Sequence, residues 1–211
     1  MMRFEEFLAH TAKSRQPVIL LEGTRALPAA ETPKLVELGR MLALRVPHAL
    51  FRSGNAPGSD QAFADGVASV SAGKLEIVLP YPEHRGSSMP PGAFSTAISD
   101  VPDNALRKLA EITGRATPHH MPLARKYSLS RSRLPPKPAA IIRLIMRDTL
   151  KVVGDPATDL APATIGIFRE NPESPEVGGT GHTIRCCHEL GVPVVLSRDW
   201  CEWISGHAEG D

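Results

Sequence analysis

Three short glycine-bearing segments hold the residues of this sequence whose types and spacing best suit ligand binding. They are residues 23–25 (Gly-Thr-Arg), residues 53–60 (Ser-Gly-Asn-Ala-Pro-Gly-Ser-Asp) and residues 178–183 (Gly-Gly-Thr-Gly-His-Thr). A helix that starts at such a segment presents unpaired backbone N–H groups and a partial positive charge. Glycines also remove the side chains that would keep an anion at a distance. We therefore expect these segments to bind a phosphate or a carboxylate group.

Residues 178–183 are the strongest candidate, because their three glycines surround a threonine just before a helical pattern. Backbone N–H groups would contact the anion, and two threonine hydroxyls would add hydrogen bonds. An arginine two residues further on can supply a charge-assisted contact if it faces the site. A tight turn without a ligand is the alternative interpretation of the same glycines. The candidate binding residues here are Gly178, Gly179, Thr180, Gly181, His182, Thr183 and Arg185.

The other two segments share this design, since each follows a short apolar run. Residues 23–25 contribute an arginine that can neutralise negative charge, and residues 53–60 would form the facing wall of the same site. Asp60 has two interpretations, because its carboxylate can cap the following helix or contact a ligand hydroxyl such as that of a ribose. The candidate residues of these segments are Gly23, Thr24, Arg25, Ser53, Gly54, Gly58, Ser59 and Asp60.

Alternating strands and helices must position these segments. Apolar runs at 17–22, 48–51 and 75–82 predict buried strands, and helical spacing predicts helices at 32–45 and at about 60–72. This repeated order is typical of a parallel sheet that is covered on both faces. We therefore predict an α/β fold, a Rossmann-like three-layer domain with a mostly parallel sheet and helices on both faces. Ligands bind such sheets outside the carboxyl ends of the strands, which is where the three segments lie.

Beyond residue 82 the sequence predicts two loops, three helices, of which the last begins near Gly181, and three strands. Trp200 and Trp203 are expected to pack on the sheet as an apolar cover. We predict a single nucleotide-binding domain over residues 1–211, with a proline-rich basic insertion at about 83–136. The loops cover 83–102 and 114–136, the first two helices 103–113 and 137–150, and the strands 150–153, 164–169 and 191–196.

Charge is distributed unevenly along a chain whose formal net charge is only +1. Residues 107–151 contain eleven lysines and arginines, against Glu111 and Asp148 as the acidic residues. This excess indicates either an anionic partner, such as nucleic acid, or a solvated basic face. The aromatic content of 5% argues against extensive stacking on nucleic-acid bases.

Composition excludes several other classes of protein. The sequence contains no apolar run of 18 residues, and its first ten residues lack the order of a secretory signal. Cys186, Cys187 and Cys201 form no spaced disulfide framework, and His182 lies near two of them without the Cys-x-x-Cys pairs of a zinc site. We expect a cytoplasmic protein with no membrane partner, no metal and no cofactor. Whether the protein forms a homodimer is left open, because nothing in the sequence determines the number of subunits.

Taken together, the three segments resemble the SLOG superfamily, which contains DNA-processing protein A, the lonely-guy phosphoribohydrolases and molybdenum-cofactor carrier proteins. Residues 23–25 resemble its first-strand turn, residues 53–67 (SGNAPGSDQAFADGV) its serine-glycine turn, and residues 178–183 its Gly-Gly-x-Gly-Thr motif. The resemblance covers about 17–82 and 150–197, and leaves the part between them unmatched. It implies a Rossmann-like fold with a nucleotide-type ligand at the glycine segments.

This sequence departs from the lonely-guy pattern Pro-Gly-Gly-x-Gly-Thr-x-x-Glu at three positions. Val177 stands at the proline, His182 at the threonine and Arg185 at the glutamate that assists cleavage of the N-glycosidic bond. Because an arginine cannot act as a carboxylate base, the resemblance does not carry that activity to this chain. Hydrolysis would need Asp60, Glu22 or His182 instead. Phosphate binding is compatible with the substitution.

Three functions remain from these observations. The first is a carrier or sensor that binds a nucleotide or a phosphorylated nucleoside derivative at the glycine segments. The second is a nucleoside-monophosphate phosphoribohydrolase with an atypical catalytic group, so that enzymatic activity is left undecided. The third is binding of single-stranded DNA, which the basic residues at 107–151 favour. A steep loss of binding with salt would distinguish the third function from the first.

Overall fold

The computed structural model describes residues 1–207, which form one six-stranded sheet with helices on both faces. The strand order is β4-β3-β2-β1-β5-β6, and every pairing is parallel. The α/β prediction is therefore confirmed. The strands are β1 Val18–Gly23, β2 Leu50–Ser53, β3 Leu75–Leu79, β4 Phe94–Ala97, β5 Ile165–Arg169 and β6 Val194–Val195. The helices are α1 Phe4–Thr11, α2 Thr32–Arg45, α3 Ser59–Ser71, α4 Asp103–Ala116, α5 Met121–Leu129, α6 Pro136–Val153, α7 Gly178–Glu189 and α8 Ser197–His207.

Two apolar cores separate the layers. Helices α1, α2, α3 and α8 pack on one face of the sheet, and α4, α5, α6 and α7 pack on the other. Successive side chains of a strand point to opposite faces, and β1 shows this directly. Ile19 and Leu21 belong to the first core, whereas Leu20 packs against Cys186 and Cys187 of α7. Glu22, two residues beyond Leu20, therefore faces the α6 and α7 side.

Helix α8 completes the first core. Trp200 and Trp203 are both buried there, and the Trp200 indole N–H donates to the carbonyl of Phe168 in β5 at 2.9 Å. The ring of Trp203 lies 5.1 Å from that of Phe7 in α1. These contacts confirm that the tryptophans cover the sheet. None of the helices in residues 1–207 has the length and apolar character that a membrane span requires.

Three predicted elements differ from the structure. Residues 83–102 contain β4, which pairs with β3 at the sheet edge. Its Phe94 is 66% exposed, so the strand lacks the apolar run that signals burial. Residues 114–136 contain α5, which follows the proline-containing turn at Pro118–His120. The strand predicted at 150–153 is the last turn of α6, because a fully buried helical turn has the same composition as a short buried strand.

Candidate functional site

A pocket of about 440 Å³ opens at the carboxyl ends of β1 and β5. The sheet grows from β1 toward β2 on one side and toward β5 on the other, so the crossover connections leave this position free. The first and third glycine segments meet in the pocket together with Ala56 and Asp60 of the second, and helix α6 forms a further wall. The lining residues are Glu22, Gly23, Thr24, Arg25, Ala26, Ala56, Asp60, Ile141, Leu144, Ile145, Arg147, Asp148, Asn171, Ser174, Val177, Gly178, Gly179 and Thr180.

The N-terminus of α7 provides backbone donors to this pocket. Val177 is the N-cap residue and makes no side-chain cap hydrogen bond. Across the described part of the chain, no protein group accepts a hydrogen bond from the amides of Gly178, Gly179 or Thr180. Gly178 has φ +73°, a left-handed conformation that glycine adopts without strain. The residues that carry these three donors line the pocket at the positive end of the helix dipole.

Close packing explains two of the glycines in α7. A Cβ atom at position 179 would lie 2.8 Å from Oδ2 of Asp148, so Gly179 lets α6 approach the start of α7. A Cβ atom at position 181 would lie 2.1 Å from the carbonyl carbon of Glu176. Gly181 is buried and does not line the pocket. Gly181 was predicted to bind the ligand, but its position indicates that it allows close packing instead.

Asp60 joins the first and second glycine segments. Its carboxylate accepts hydrogen bonds from the amides of Gly23 at 3.1 Å, Gly54 at 3.2 Å and Ala56 at 3.3 Å. These donors are thus already used within the protein. The side chain lines the pocket, but three backbone amides use most of its hydrogen-bonding capacity, so its main role is to hold these two loops together.

The rest of the second segment supports the first rather than facing it. The Ser59 hydroxyl donates to the carbonyl of Thr24 at 2.9 Å, and the Ser59 amide donates to the same oxygen at 3.1 Å. Gly58 has φ +83°, and a Cβ atom there would lie 2.6 Å from the carbonyl oxygen of Arg25. Ser53, Gly54, Gly58 and Ser59 are absent from the pocket lining, so the predicted facing wall is formed by α6 instead.

His182 is buried behind the pocket in a network of hydroxyls. Arg185 donates to the Thr117 hydroxyl oxygen at 2.9 Å, which leaves the Thr117 hydrogen for Nδ1 of His182 at 2.7 Å. Nε2 of the neutral ring then carries the proton and donates to Thr149 at 2.9 Å. Burial lowers the pKa of His182 to about 4. Because both ring nitrogens have protein partners, His182 does not serve as a ligand contact here.

Arg185 also differs from its predicted role. Besides Thr117, its guanidinium donates to the carbonyl of Ala116 at 2.8 Å and to that of Glu176 at 2.5 Å. It thus fixes the start of α7 to the end of α4, away from the pocket lining. Of the two arginines assigned to charge neutralisation, Arg25 is the one that lines the pocket, and its side chain is exposed.

A buried ionic cluster forms the floor of the pocket. Lys151 Nζ lies 2.6 Å from Oε2 of Glu22 and 2.9 Å from Oδ1 of Asp148. Arg147 donates to the same Oδ1 at 2.6 Å and to the carbonyl of Gly54 at 2.7 Å. The Thr183 hydroxyl donates to Oε1 of Glu22 at 3.1 Å. Thr183 therefore contributes to the floor and not, as predicted, directly to anion binding.

The pKa values of the two carboxyls at the floor move in opposite directions. Burial, opposed by Lys151 and reinforced by Asp148 and Asp60, raises the pKa of Glu22 from 4.5 to about 7. Burial would also raise the pKa of Asp148, but Arg147 and Lys151 outweigh it and hold that pKa at about 2. Asp148 is thus a permanent anion, whereas Glu22 titrates near neutral pH.

Sequence reasoning missed Arg147, Asp148 and Lys151, which it counted only as part of the basic segment. Their signal is a group of charged residues within the last two turns of a helix that is otherwise apolar on that face. Those turns are buried throughout, from Met146 to Val152. Charges at buried helix positions must be paired, so such a group indicates a polar site.

The mouth of the pocket is apolar on the α6 side. Ile141, Leu144 and Ile145 line it there, and Val177 lines it across from them at the start of α7. Ile141 is 44% exposed and Val177 is 70% exposed. The pocket therefore changes from charged at its floor to apolar at its rim.

Cysteine chemistry and metal binding find no support in residues 1–207. Cys186 and Cys187 are buried, free thiols, and burial raises the pKa of Cys186 to about 12, which keeps it protonated at neutral pH. Cys201 is exposed and also free. Within the same residues no three histidine, cysteine or acidic side chains converge in a way that could hold a metal ion.

Five of the eleven cations of the basic segment pair with acidic side chains of the protein. Three of its eleven cations pair with acidic side chains on the surface, and two belong to the pocket floor. The surface pairs are Arg115–Glu189, Arg125–Glu111 and Arg131–Asp103, and the floor residues are Arg147 and Lys151.

Comparison with known proteins gives one structural similarity. No family model matches the chain, and no curated protein matches it. A solved structure of DNA processing protein A from Helicobacter pylori, from a study of its single-stranded DNA binding mode, is similar with a TM-score of 0.49 and 14% sequence identity. The alignment covers 87% of this chain and 66% of the other. This chain therefore spans just under two thirds of the length of that structure. Function must therefore be argued from the pocket itself.

Proposed function

We propose that the pocket binds a nucleotide or a phosphorylated nucleoside derivative, which the protein holds as a carrier or sensor. The observation that carries the proposal is that the residues from Gly178 to Thr180, at the start of α7, line the pocket and that their amides find no acceptor in residues 1–207. Backbone N–H groups at a helix start are suited to a phosphate group. The position at the carboxyl ends of β1 and β5 is where open parallel sheets bind such ligands.

The size of the pocket and the exposed cation Arg25 support the same ligand class. A volume of about 440 Å³ lies within the range of small-molecule pockets, roughly 300–1,000 Å³. Arg25 supplies an exposed cation beside the amides, while Asn171 and Ser174 add polar side chains on the opposite rim. The apolar residues of α6 offer a surface for a base. The pocket changes from polar groups at the start of α7 to apolar side chains at its rim. This change favours a ligand whose phosphate lies at the α7 amides and whose base lies at the rim.

We also propose that the chain is a divergent member of the SLOG superfamily. The convergence of residues 23–25 with residues 178–180 in one pocket supports this assignment. The changed contacts of His182 and Arg185 set this chain apart, because both positions hold the protein together here instead of serving a ligand.

A charge substitution at Thr180 tests the proposal. Thr180 is the third residue of α7, where a glutamate favours the helix dipole and leaves the fold intact. Thr180→Glu places a negative charge at the anion site and is expected to weaken AMP binding about tenfold or more. Thr180→Gln has the same size without the charge and serves as the control. Equal AMP affinities for the two variants, measured by calorimetry, would contradict the site.

An enzymatic version of the function has one observation in its favour. Of Asp60, Glu22 and His182, the alternative groups for hydrolysis, Glu22 is a carboxyl that lines the pocket and has a pKa near neutrality. A general acid or base works best when its pKa lies near the working pH. Incubation with nucleoside monophosphates and chromatography for free base tests this candidate. Release of base that stops in Glu22→Gln would establish it, and intact nucleotide would leave the carrier function.

Binding of single-stranded nucleic acid is a further candidate, supported by one surface feature. Arg107 and Lys108 line a groove of about 330 Å³ between α4 and α5, together with the ion pair Arg125–Glu111 and with Leu129, which is 75% exposed. Phosphate contacts from such cations give affinity that falls steeply with salt. Oligonucleotide binding measured at two salt concentrations, in the wild type and in Arg107→Gln, tests this candidate. Salt-insensitive binding, or none, would rule out this surface.

A further inference from the structure

The charges at the floor of the pocket do not balance. Glu22, Asp60 and Asp148 are buried there with Arg147 and Lys151, so the fully ionised floor has one more negative than positive charge. This excess lies beneath the amides that are assigned to an anion. Like charges interact strongly where water is excluded, so an anion in the pocket disfavours the fully ionised floor.

Hydrogen bonding decides which carboxyl loses its charge. Asp60 accepts three backbone N–H groups, and Asp148 accepts from both Arg147 and Lys151 through Oδ1. Each of these contacts favours the ionised form. Among residues 1–207, Glu22 shares Lys151 with Asp148 and otherwise accepts only from the Thr183 hydroxyl, for which the Gly179 carbonyl at 3.0 Å is a competing acceptor. Of the three carboxyls, Glu22 is therefore the least stabilised as an anion.

Charged groups on the neighbouring elements do not change this ranking. On β2 and β3, the pair Arg52–Glu76 is neutral overall, with an N–O distance of 2.7 Å. On α7, His182 stays neutral because burial lowers its pKa to about 4. Arg25, in the loop after β1, is exposed to water, which screens its charge. Burial and the neighbouring carboxylates accordingly hold the pKa of Glu22 near 7 before any ligand binds.

We propose that Glu22 holds a proton when an anion occupies the pocket, so that anion binding takes up a proton from the solvent at a Glu22 carboxyl oxygen. This inference rests on the proposed function, since it needs an anion at the start of α7. The neutral acid removes the excess negative charge and can donate its proton to a ligand oxygen. Affinity then falls as pH rises above neutrality, by up to about tenfold per pH unit when a full proton is taken up.

Calorimetry in two buffers measures the proton directly. AMP is titrated into the wild-type protein at pH 8 in buffers of different ionisation enthalpy, and the difference in binding heat gives the number of protons exchanged. The phosphate of AMP is fully ionised at this pH, because its second pKa is about 6. We expect an uptake of more than half a proton per AMP bound in the wild type and none in Glu22→Gln.

A second variant controls for loss of any carboxyl. Glu31 lies outside the pocket and pairs with Arg169, so Glu31→Gln should show the wild-type proton uptake. AMP binding without proton uptake in the wild type overturns the inference and leaves the proposed function standing. Equal uptake in the wild type and Glu22→Gln also overturns it. Absence of AMP binding at both pH 6 and pH 8 overturns the proposed function itself. The proton uptake of the wild type tests the inference even if a variant does not fold.

Discussion

Three side chains around the pocket could each bind a ligand or transfer a proton, and their hydrogen bonds give them different roles. Asp60 holds the backbone of two loops through three amides. His182 is a neutral member of a hydroxyl network, with both nitrogens in use. Glu22 lines the pocket and titrates near pH 7. Residue type alone made all three candidates, and only their neighbours distinguish them.

Glu22 also predicts a pH dependence of stability without any ligand. Its pKa is about 7 in the folded protein and 4.5 as its ordinary value, so the folded state holds the proton more tightly. Stability from this group is complete below pH 4.5 and is lost as pH rises through 7. Between pH 5.5 and pH 8 the wild type should lose on the order of 2 kcal/mol of unfolding free energy relative to Glu22→Gln.

Urea denaturation of both proteins at several pH values measures this difference. Asp148 has the opposite linkage, since its pKa of about 2 stabilises the fold at higher pH and that contribution is lost only as pH falls toward 2. Asp148 therefore adds no pH dependence of stability between pH 5.5 and pH 8. A difference between wild type and Glu22→Gln that does not vary with pH would show that Glu22 is not protonated in the folded state.

At the scale of elements, α6 carries both ends of the pocket. Its residues Ile141, Leu144 and Ile145 lie at the mouth, and Arg147, Asp148 and Lys151 lie at the floor within the next two turns. A helix rises 1.5 Å per residue, so the centres of these two groups lie about 8 Å apart along its axis. This spacing suits a ligand whose charged and apolar groups are separated by a sugar.

Substitution at the mouth should separate base binding from phosphate binding. Ile141→Gln removes an apolar contact at a position that is 44% exposed, so the fold should persist. Loss of a half-buried isoleucine surface is expected to weaken AMP binding about fivefold and to leave ribose 5-phosphate binding unchanged. Leu129→Gln, at an exposed position of α5 away from the pocket, is the control. Equal effects on both ligands in competition calorimetry would contradict a base at the α6 wall.

Element prediction succeeded where periodicity and burial agreed. Helix α2 was predicted at its observed bounds, and β1, β2, α3 and β5 within two residues. The edge strand β4 was missed because Phe94 and its neighbour are exposed, so no apolar run marks the strand. The last turn of α6 was predicted as a strand because it is buried on all sides. Helix α5 was missed because Pro118 and Pro122 suggested irregular structure, although proline is tolerated in a first helical turn.

At the scale of the whole molecule, topology brings distant segments together. Residues 23–25 and 178–180 are far apart in sequence but share one pocket, because β1 and β5 are neighbours in a parallel sheet. General rules for such sheets predict that segments after neighbouring strands meet at this edge. The wall formed by α6 could not be predicted, since the position of a crossover helix over the sheet depends on tertiary packing. The buried last turns of α6 contain Arg147 and Lys151, which were counted in the sequence as part of the basic segment.

The most direct test of the account is whether the amides at the start of α7 bind the anion. Nitrogen–proton correlation NMR of the labelled protein, with increasing AMP, reports on each backbone N–H group separately. The account predicts saturable shifts of the Gly178, Gly179 and Thr180 amide protons toward lower field, as expected for new hydrogen bonds to phosphate. Saturable AMP binding that leaves these three signals unchanged and shifts residues elsewhere in the protein would contradict it.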